Sequence, residues 1–420
     1  MIVTPQSLAV HGGTPTVRTA ELAVAWTGAR GRRAVAQHLL AAADDALLLS
    51  DHEGSGAVGM FERAFARMVG ASFAIGTSSG TAALIAILHA LGVAPGDEVI
   101  VSTYGWGSTV GAVLAVGAIP RFADIDPLTA CLDATTLGTL INKRTRAILA
   151  THMFGIPADV RKLRDVADAH GLHLIFDAAQ AMGASVDAEP LGRFGDAVAW
   201  SFGRYKLPYV GEGGMITTND PSIADALVVV SQHPSRARRE VLDPAMRPLI
   251  DECSLSLRMH PLAAVMGTAA LPELPARIAR RRRACEALRA RIAELPGVSV
   301  VASHGGAISG WYSFPLAFDR EGCLGVTRSA IVSALRAEGV PLEEGPVRVP
   351  IHLRPRWAGV QPGARLAVAE RRCEEEYLIA SESRWLGVPP ARVRELGDAF
   401  EKVFTNLPCL ARKRSAMEAS

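Results

Sequence analysis

Lys206 closes the segment Ser-Phe-Gly-Arg-Tyr-Lys (201–206), and Gly-Glu-Gly-Gly (211–214) follows within a few residues. An amine set after Ser201, ahead of glycines that let backbone approach a ligand closely, can form a Schiff base with an aldehyde cofactor. Asp177, in Phe-Asp-Ala-Ala-Gln (176–180), supplies a carboxylate able to pair with a protonated pyridine nitrogen and keep such a ring an electron sink. Asp is also favoured at helix N-caps, so Asp177 reads equally well as the cap of a helix from Ala178 onward. Further upstream, Gly-Thr-Ser-Ser-Gly-Thr (76–81) gathers glycines and hydroxyls where backbone N–H groups and a helix N-terminus can hold a phosphate. A lysine for an imine, an acid for a ring nitrogen and a phosphate cradle are the parts of a pyridoxal phosphate pocket, each serving a different portion of one cofactor.

Other residues carry weaker signals. Tyr104 and Trp106 follow a strand, where an aromatic can stack on a flat ring or simply pack in the core. Residues 76–81 match neither the P-loop, lacking Gly-Lys-Ser/Thr, nor Gly-x-Gly-x-x-Gly, which argues against a dinucleotide enzyme. His152 and His352 read as structural histidines. The run Arg280–Arg283 would point all around a helix, so it reads as a solvated helix or as inter-subunit ion pairs rather than a nucleic-acid surface.

The elements that position these groups alternate. Strands are expected at 72–75, 98–101, 120–123, 146–150, 173–176, 197–202 and 214–217, with helices at 61–69, 81–91, 108–116 and 160–170 between them. That alternation predicts an α/β, three-layer domain with a mostly parallel sheet. Asp177 then stands at a strand's carboxyl end, where ligands collect in open sheets. Past about residue 255 come helices at 262–271, 277–292, 328–338 and 391–403, with stretches at 298–301 and 311–316, which reads as a smaller α+β domain. The expected division is an arm at 1–30, a large domain at 31–255, a small domain at 256–410 and a polar tail at 411–420.

Bulk properties agree. With 420 residues and 49% hydrophobic content the chain is long enough for two domains. A net charge of +2, from 44 basic and 42 acidic residues, points to no nucleic-acid or membrane partner. Six scattered cysteines without a Cys-x-x-Cys pair suggest neither zinc nor a disulfide framework, but reduced thiols in a cytoplasmic protein. No signal peptide is expected from Met-Ile-Val-Thr-Pro-Gln, and no apolar run reaches membrane-span length.

From about residue 59 to 403 these segments resemble the DegT/DnrJ/EryC1/StrS family, sugar aminotransferases of pyridoxal phosphate fold type I. The likeness rests on Gly-Thr-Ala-Ala-Leu (80–84), Pro-Gly-Asp-Glu-Val-Ile-Val (95–101), Thr-Arg-Ala-Ile (145–148), His-Met-Phe-Gly (152–155) and Asp-Ala-Ala-Gln-Ala-Met-Gly-Ala (177–184). Its most specific piece runs from Ser201-Phe202 through Lys206 to Gly-Glu-Gly-Gly. The resemblance implies that Lys206 bonds the cofactor and shuttles protons, and that Asp177 binds the pyridine nitrogen. It also implies that Gln180 lies by the ring hydroxyl, that Gly80, Thr81 and Ser201 hold the phosphate, and that Trp106 stacks on the ring. Ser256 stands in Ser-Leu-Ser-Leu-Arg-Met (254–259), where the family often has an asparagine that reaches the partner subunit's phosphate. Bulky Arg204 and Tyr205 precede the lysine on the substrate side.

Relatives that dehydrate sugars replace the lysine by histidine; here it is lysine, so transamination is the expected reaction. Glutamate or glutamine is the expected donor and a ketosugar, possibly nucleotide-linked, or a keto-cyclitol the acceptor, in a homodimer with sites at its interface. The rivals are a member with drifted carbanion chemistry and a non-catalytic cofactor-binding partner subunit.

Overall fold

The structure is a computed structural model that describes residues 8–17, 29–44, 50–252, 254–345, 347–380 and 388–411 of the chain. Helices α1 (Ala29–Asp44) and α2 (Ala57–Val69) lead into the alternating part. There follow β1 (Phe73–Thr77), α3 (Gly80–Ala90), β2 (Glu98–Ser102), α4 (Gly107–Ala115), β3 (Ile119–Ala123), β4 (Thr145–Thr151), α5 (Val160–His170) and β5 (His173–Asp177). Next come the short β6 (Ser185–Val186) and β7 (Glu189–Pro190), then β8 (Ala197–Ser201), β9 (Gly214–Thr218), α6 (Pro221–Ser231) and α7 (Pro234–Glu240). The last part holds α8 (Pro261–Ala270), α9 (Leu274–Ile292), β10 (Val298–Val300), β11 (Ala307–Ile308), β12 (Phe314–Phe318), α10 (Arg328–Ala337), α11 (Ala367–Arg371), β13 (Tyr377–Ala380) and α12 (Pro390–Thr405).

Seven strands form one sheet in the order β1-β9-β8-β5-β4-β2-β3. The pairings β3 to β2, β2 to β4, β4 to β5 and β5 to β8 are parallel; β8 to β9 and β9 to β1 are antiparallel. Reversing twice restores direction, so β1 runs with β8 and the carboxyl ends of β1, β2, β4, β5 and β8 share one edge of the sheet. Strand β2 is buried along its whole length, which explains why Glu98–Ser102 is almost continuously apolar instead of alternating. Helices cover both faces and two apolar clusters fill the layers, one around Phe61, Phe65, Phe176 and Phe202, the other around Ile87, Val99, Phe122 and Ile216.

A third cluster joins β12 with α9, α10 and α12 through Leu288, Phe314, Leu335 and Phe400. Leu8 and Val17 from the amino-terminal arm pack into it. Their segment is tied down by buried Glu338, which accepts from the Ala9 N–H at 2.7 Å and from Lys402 Nζ at 2.9 Å. Helix α8 packs on α1 and α2. Leu274 sits in the first cluster and Leu288 in the third, so the chain passes between them along α9.

Within the stretch 311–316 a strand begins only at Phe314, because Trp311 adopts a left-handed φ of 52° that breaks extended geometry. Residues 178–184 form turns rather than the helix an Asp177 cap would begin. Much of the amino-terminal arm and of the carboxyl-terminal tail lies outside the described residues.

Candidate active site

Lys206 is delivered by the loop that leaves β8. Phe202, at the loop's start, sits among the rings of Phe61 and Phe65 with centroids 5.3 and 5.1 Å away, so α2 anchors it. Its N–H donates to the Gly213 carbonyl at 2.9 Å and its carbonyl accepts from the Val210 N–H at 3.1 Å, closing the loop on itself. Lys206 Nζ lies 4.1 Å from the centroid of the Tyr312 ring. Burial pushes its pKa down from 10.5 to about 8, against the Asp177 charge, which works to raise it.

Asp177 ends β5 and is 7% exposed. Its Oδ2 accepts from Thr109 Oγ1 at 2.8 Å and its Oδ1 from the Ala179 N–H at 3.0 Å. The carboxylate therefore closes a two-residue turn and also presents a face to the site.

Between β1 and α3, Ser79 Oγ caps the helix by accepting the Ala82 N–H at 3.0 Å. The N–H groups of Gly80 and Thr81 precede any intrahelical partner and are available to an anion. Close packing demands glycine twice here. A Cβ on Gly80 would meet Ser201 Cβ at 2.9 Å, and one on Gly214 would meet the Ser79 backbone at 2.4 Å.

Gly80, Thr81, Trp106, Asp177, Gln180, Ser201 and Lys206 all line one cavity of about 580 Å3. Gln180 Oε1 accepts the Phe154 N–H at 2.7 Å, which leaves its NH2 group for a ligand oxygen. Trp106 is 63% exposed at the mouth, whereas Tyr104 is buried against Phe154, so only the first of the two aromatics faces the cavity. Ser256 does not line it. It is exposed, with φ 49°, on a segment whose Leu257 carbonyl accepts the Ser78 N–H at 2.8 Å, just outside the 76–81 loop.

Tyr312, Thr109 and Ser313 were not foreseen from the sequence. Thr109 had no signal beyond its place near the start of α4. Tyr312 comes from the far end of the chain: its N–H donates to the Phe154 carbonyl at 2.9 Å and the Gly310 N–H to the Gly155 carbonyl at 2.8 Å. The arginine run departs from expectation, because Arg281 is buried with Nη1 on the Trp311 carbonyl at 3.2 Å and Arg282 donates to the Gly183 carbonyl at 3.0 Å. Both serve the turn that carries Tyr312 or the turn after Asp177. His152 is structural: fully buried, its Nδ1 accepting the Ala158 N–H at 3.0 Å, with burial holding its pKa down to about 3. His352 is buried too, against Thr103.

The chain is 36% identical over 299 residues to the GDP-perosamine synthase of Caulobacter vibrioides, covering 71% of this chain and 78% of that protein. It is 32% identical over 369 residues to the L-glutamine:scyllo-inosose aminotransferase of Streptomyces griseus, covering 83% and 86%. The crystal structure of an aminotransferase from Psychrobacter cryohalolentis superposes with a TM-score of 0.82 at 25% identity, covering 92% of this chain and 99% of that one. The model of the DegT/DnrJ/EryC1/StrS aminotransferase family matches residues 46–385, and this chain belongs to that family.

Proposed function

We propose that this aminotransferase, which works with pyridoxal phosphate, moves an amino group from glutamate or glutamine to the keto carbon of a sugar or keto-cyclitol. The observation that carries the reading is the meeting of Lys206 and Asp177 in one cavity with the amino end of α3. The residues present fit the cofactor. A backbone cradle that a Cβ at Gly80 would fill suits its phosphate, and a lysine whose pKa falls to about 8 suits its aldehyde. Gly80, Thr81 and Ser201 would hold the phosphate, Asp177 the ring nitrogen, Gln180 the ring oxygen and Trp106 a face of the ring. When bound, pyridoxal phosphate supplies an aldehyde that condenses with amines and a ring that takes up the electron pair released beside the nitrogen.

The chain's own groups manage the protons. Lys206 Nζ, its pKa lowered by burial to about 8, would in its unprotonated form take the proton from the donor's α-carbon and deliver it to the carbon on the far side of the amino nitrogen. Asp177 keeps the ring nitrogen protonated, its oxygens oriented by Thr109 and Ala179. Because the Gln180 oxygen is occupied by Phe154, only its NH2 is offered, which selects an oxygen as its partner. The keto acceptor then uses the same groups in reverse order.

The exposed Ser256 beside the 76–81 loop, and the exposed Trp106, favour a homodimer in which a second copy completes the site. Size measurement by light scattering tests this, and an active, cofactor-loaded monomer would refute it. Among the described residues no helix is long and apolar enough to cross a membrane. With free thiols at Cys131, Cys285, Cys323, Cys373 and Cys409, that supports a cytoplasmic site of action. The division near residue 255 into large and small domains belongs to the same reading. The central test is an absorbance spectrum before and after adding L-glutamate or L-glutamine. Loss of a visible band to the near ultraviolet is expected; a band that no amino donor alters would overturn the transaminase reading.

A further inference from the structure

The turn that delivers Lys206 carries a second unusual group. The Lys206 N–H donates to the Gly203 carbonyl at 3.0 Å, so residues 203–206 close a turn with Arg204 and Tyr205 at its corners. Tyr205 holds a left-handed φ of 70°, where glycine or asparagine is the usual occupant. A bulky aromatic in that region is strained, and backbone strain of this kind gathers at functional sites. The Tyr205 ring lies under the Arg204 guanidinium, whose central carbon is 4.7 Å from the ring centroid. A ring beneath the guanidinium restrains it without occupying its N–H groups.

Both residues line the cavity of Lys206. Among the described residues that line it, Arg204 and Lys206 alone carry a positive charge. Lys206 is committed to the cofactor and to proton transfer. Arg204 is exposed and makes no hydrogen bond or ion pair among the described residues, not even with Glu212 of the same cavity. Its N–H donors are therefore open to a ligand.

An amino-acid donor always brings a carboxylate on the very carbon that bears its reacting nitrogen. A ketosugar or cyclitol carries no charge so close to its reacting carbon. Placing that carboxylate beside Asp177 and Glu212 without a cation would be costly. A guanidinium fork in the same turn as the lysine matches it with paired N–H donors. We infer that Arg204, braced on Tyr205, receives the α-carboxylate of the amino donor and so selects amino acids over simple amines. This rests on the aminotransferase reading and adds to it the residue that recognises the donor.

The test is stopped-flow absorbance of the cofactor-loaded protein with L-glutamate or L-glutamine, whichever alters the visible band. Arg204→Gln should raise the half-saturating donor concentration about tenfold or more, the loss expected for a charge-assisted pair of hydrogen bonds, with the limiting rate within about twofold. Arg204→Lys should lie in between. Tyr205→Asn suits the left-handed backbone but removes the brace, and should raise half-saturation by a smaller factor. γ-Aminobutyrate, which lacks an α-carboxylate, serves as a competitor, and its inhibition constant should not change in Arg204→Gln. Half-saturation unmoved by Arg204→Gln, a limiting rate that falls in its place, or an equal loss for γ-aminobutyrate would each overturn the inference. If the wild-type protein responds to the donor and Arg204→Gln responds identically, only this inference falls; if the wild-type protein responds to no amino donor, the aminotransferase reading falls with it.

Discussion

Lys206 should make the cofactor-free protein less stable, and replacing it with methionine should show by how much. In the unfolded chain its amine holds a proton up to about pH 10.5, whereas in the folded chain burial lowers that point to about 8. Between those values the unfolded state binds more protons, so stability rises with pH across the window, and below it the folded state carries the full penalty. At about 1.4 kcal/mol per tenfold change in a protonation equilibrium, the penalty at pH 7 comes to about 3 kcal/mol, a large share of a typical folding free energy. The Tyr312 ring, with its centroid 4.1 Å from Nζ, favours the charged form and so works against the burial penalty. Lys206→Met keeps an unbranched side chain, one atom shorter, and carries no charge in either state. Urea unfolding of cofactor-free protein should therefore find the variant more stable by about 3 kcal/mol at pH 7 and by under about 1 kcal/mol at pH 10.5. A gain that is absent at pH 7, or one equal at both pH values, would refute the reasoning, since added apolar burial alone has no pH dependence.

Thr109→Val removes the 2.8 Å hydrogen bond to Asp177 Oδ2. The rate of the amino-donor half-reaction should fall about tenfold, with most of it retained in Thr109→Ser, as stopped-flow absorbance would reveal. Gly80→Ala drives a Cβ to 2.9 Å from Ser201 Cβ in the proposed phosphate cradle. Equilibrium dialysis should show weakened retention of pyridoxal phosphate while the thermal midpoint of the cofactor-free protein moves little. Glu62→Leu leaves buried Arg236 without the carboxylate it meets at 2.9 Å and leaves the Gly76 N–H unpaired, at a cost of about 3–5 kcal/mol. Thermal unfolding measures the loss, and the double variant Glu62→Leu/Arg236→Met should recover most of it.

Much of the large domain was legible because local pattern and final position agree. Helices α3 and α5 and strands β2, β4, β5 and β8 fall within a few residues of their expected bounds, since each is long enough for its apolar period to stand out. Lys206, Asp177 and the 76–81 loop could be read because each follows or ends a strand, β8, β5 and β1 in turn, and carries its own short motif. Short or irregular pieces could not. Strands β6 and β11 pair across the chain with two residues each, too few for any period. Trp311 takes a left-handed backbone that no neighbouring residue type announces. The inward turn of Arg281 and Arg282 depends on carbonyls from the 183 and 311 turns, which a helical wheel does not contain.

From the sequence alone came the alternating α/β class, Lys206 and Asp177 as the proposed reacting pair, and the glycines of the proposed phosphate cradle. These are properties of residue type and local spacing, written within a few turns of chain. The tertiary structure decided which groups surround them. It set Tyr312 under the lysine and Thr109 against the acid, chose Trp106 over Tyr104 for the mouth, and turned Ser256 outward. Most of those relations join segments distant in the chain through sheet order, buried hydrogen bonds and close packing, and such long-range pairing leaves no mark on any single stretch of sequence.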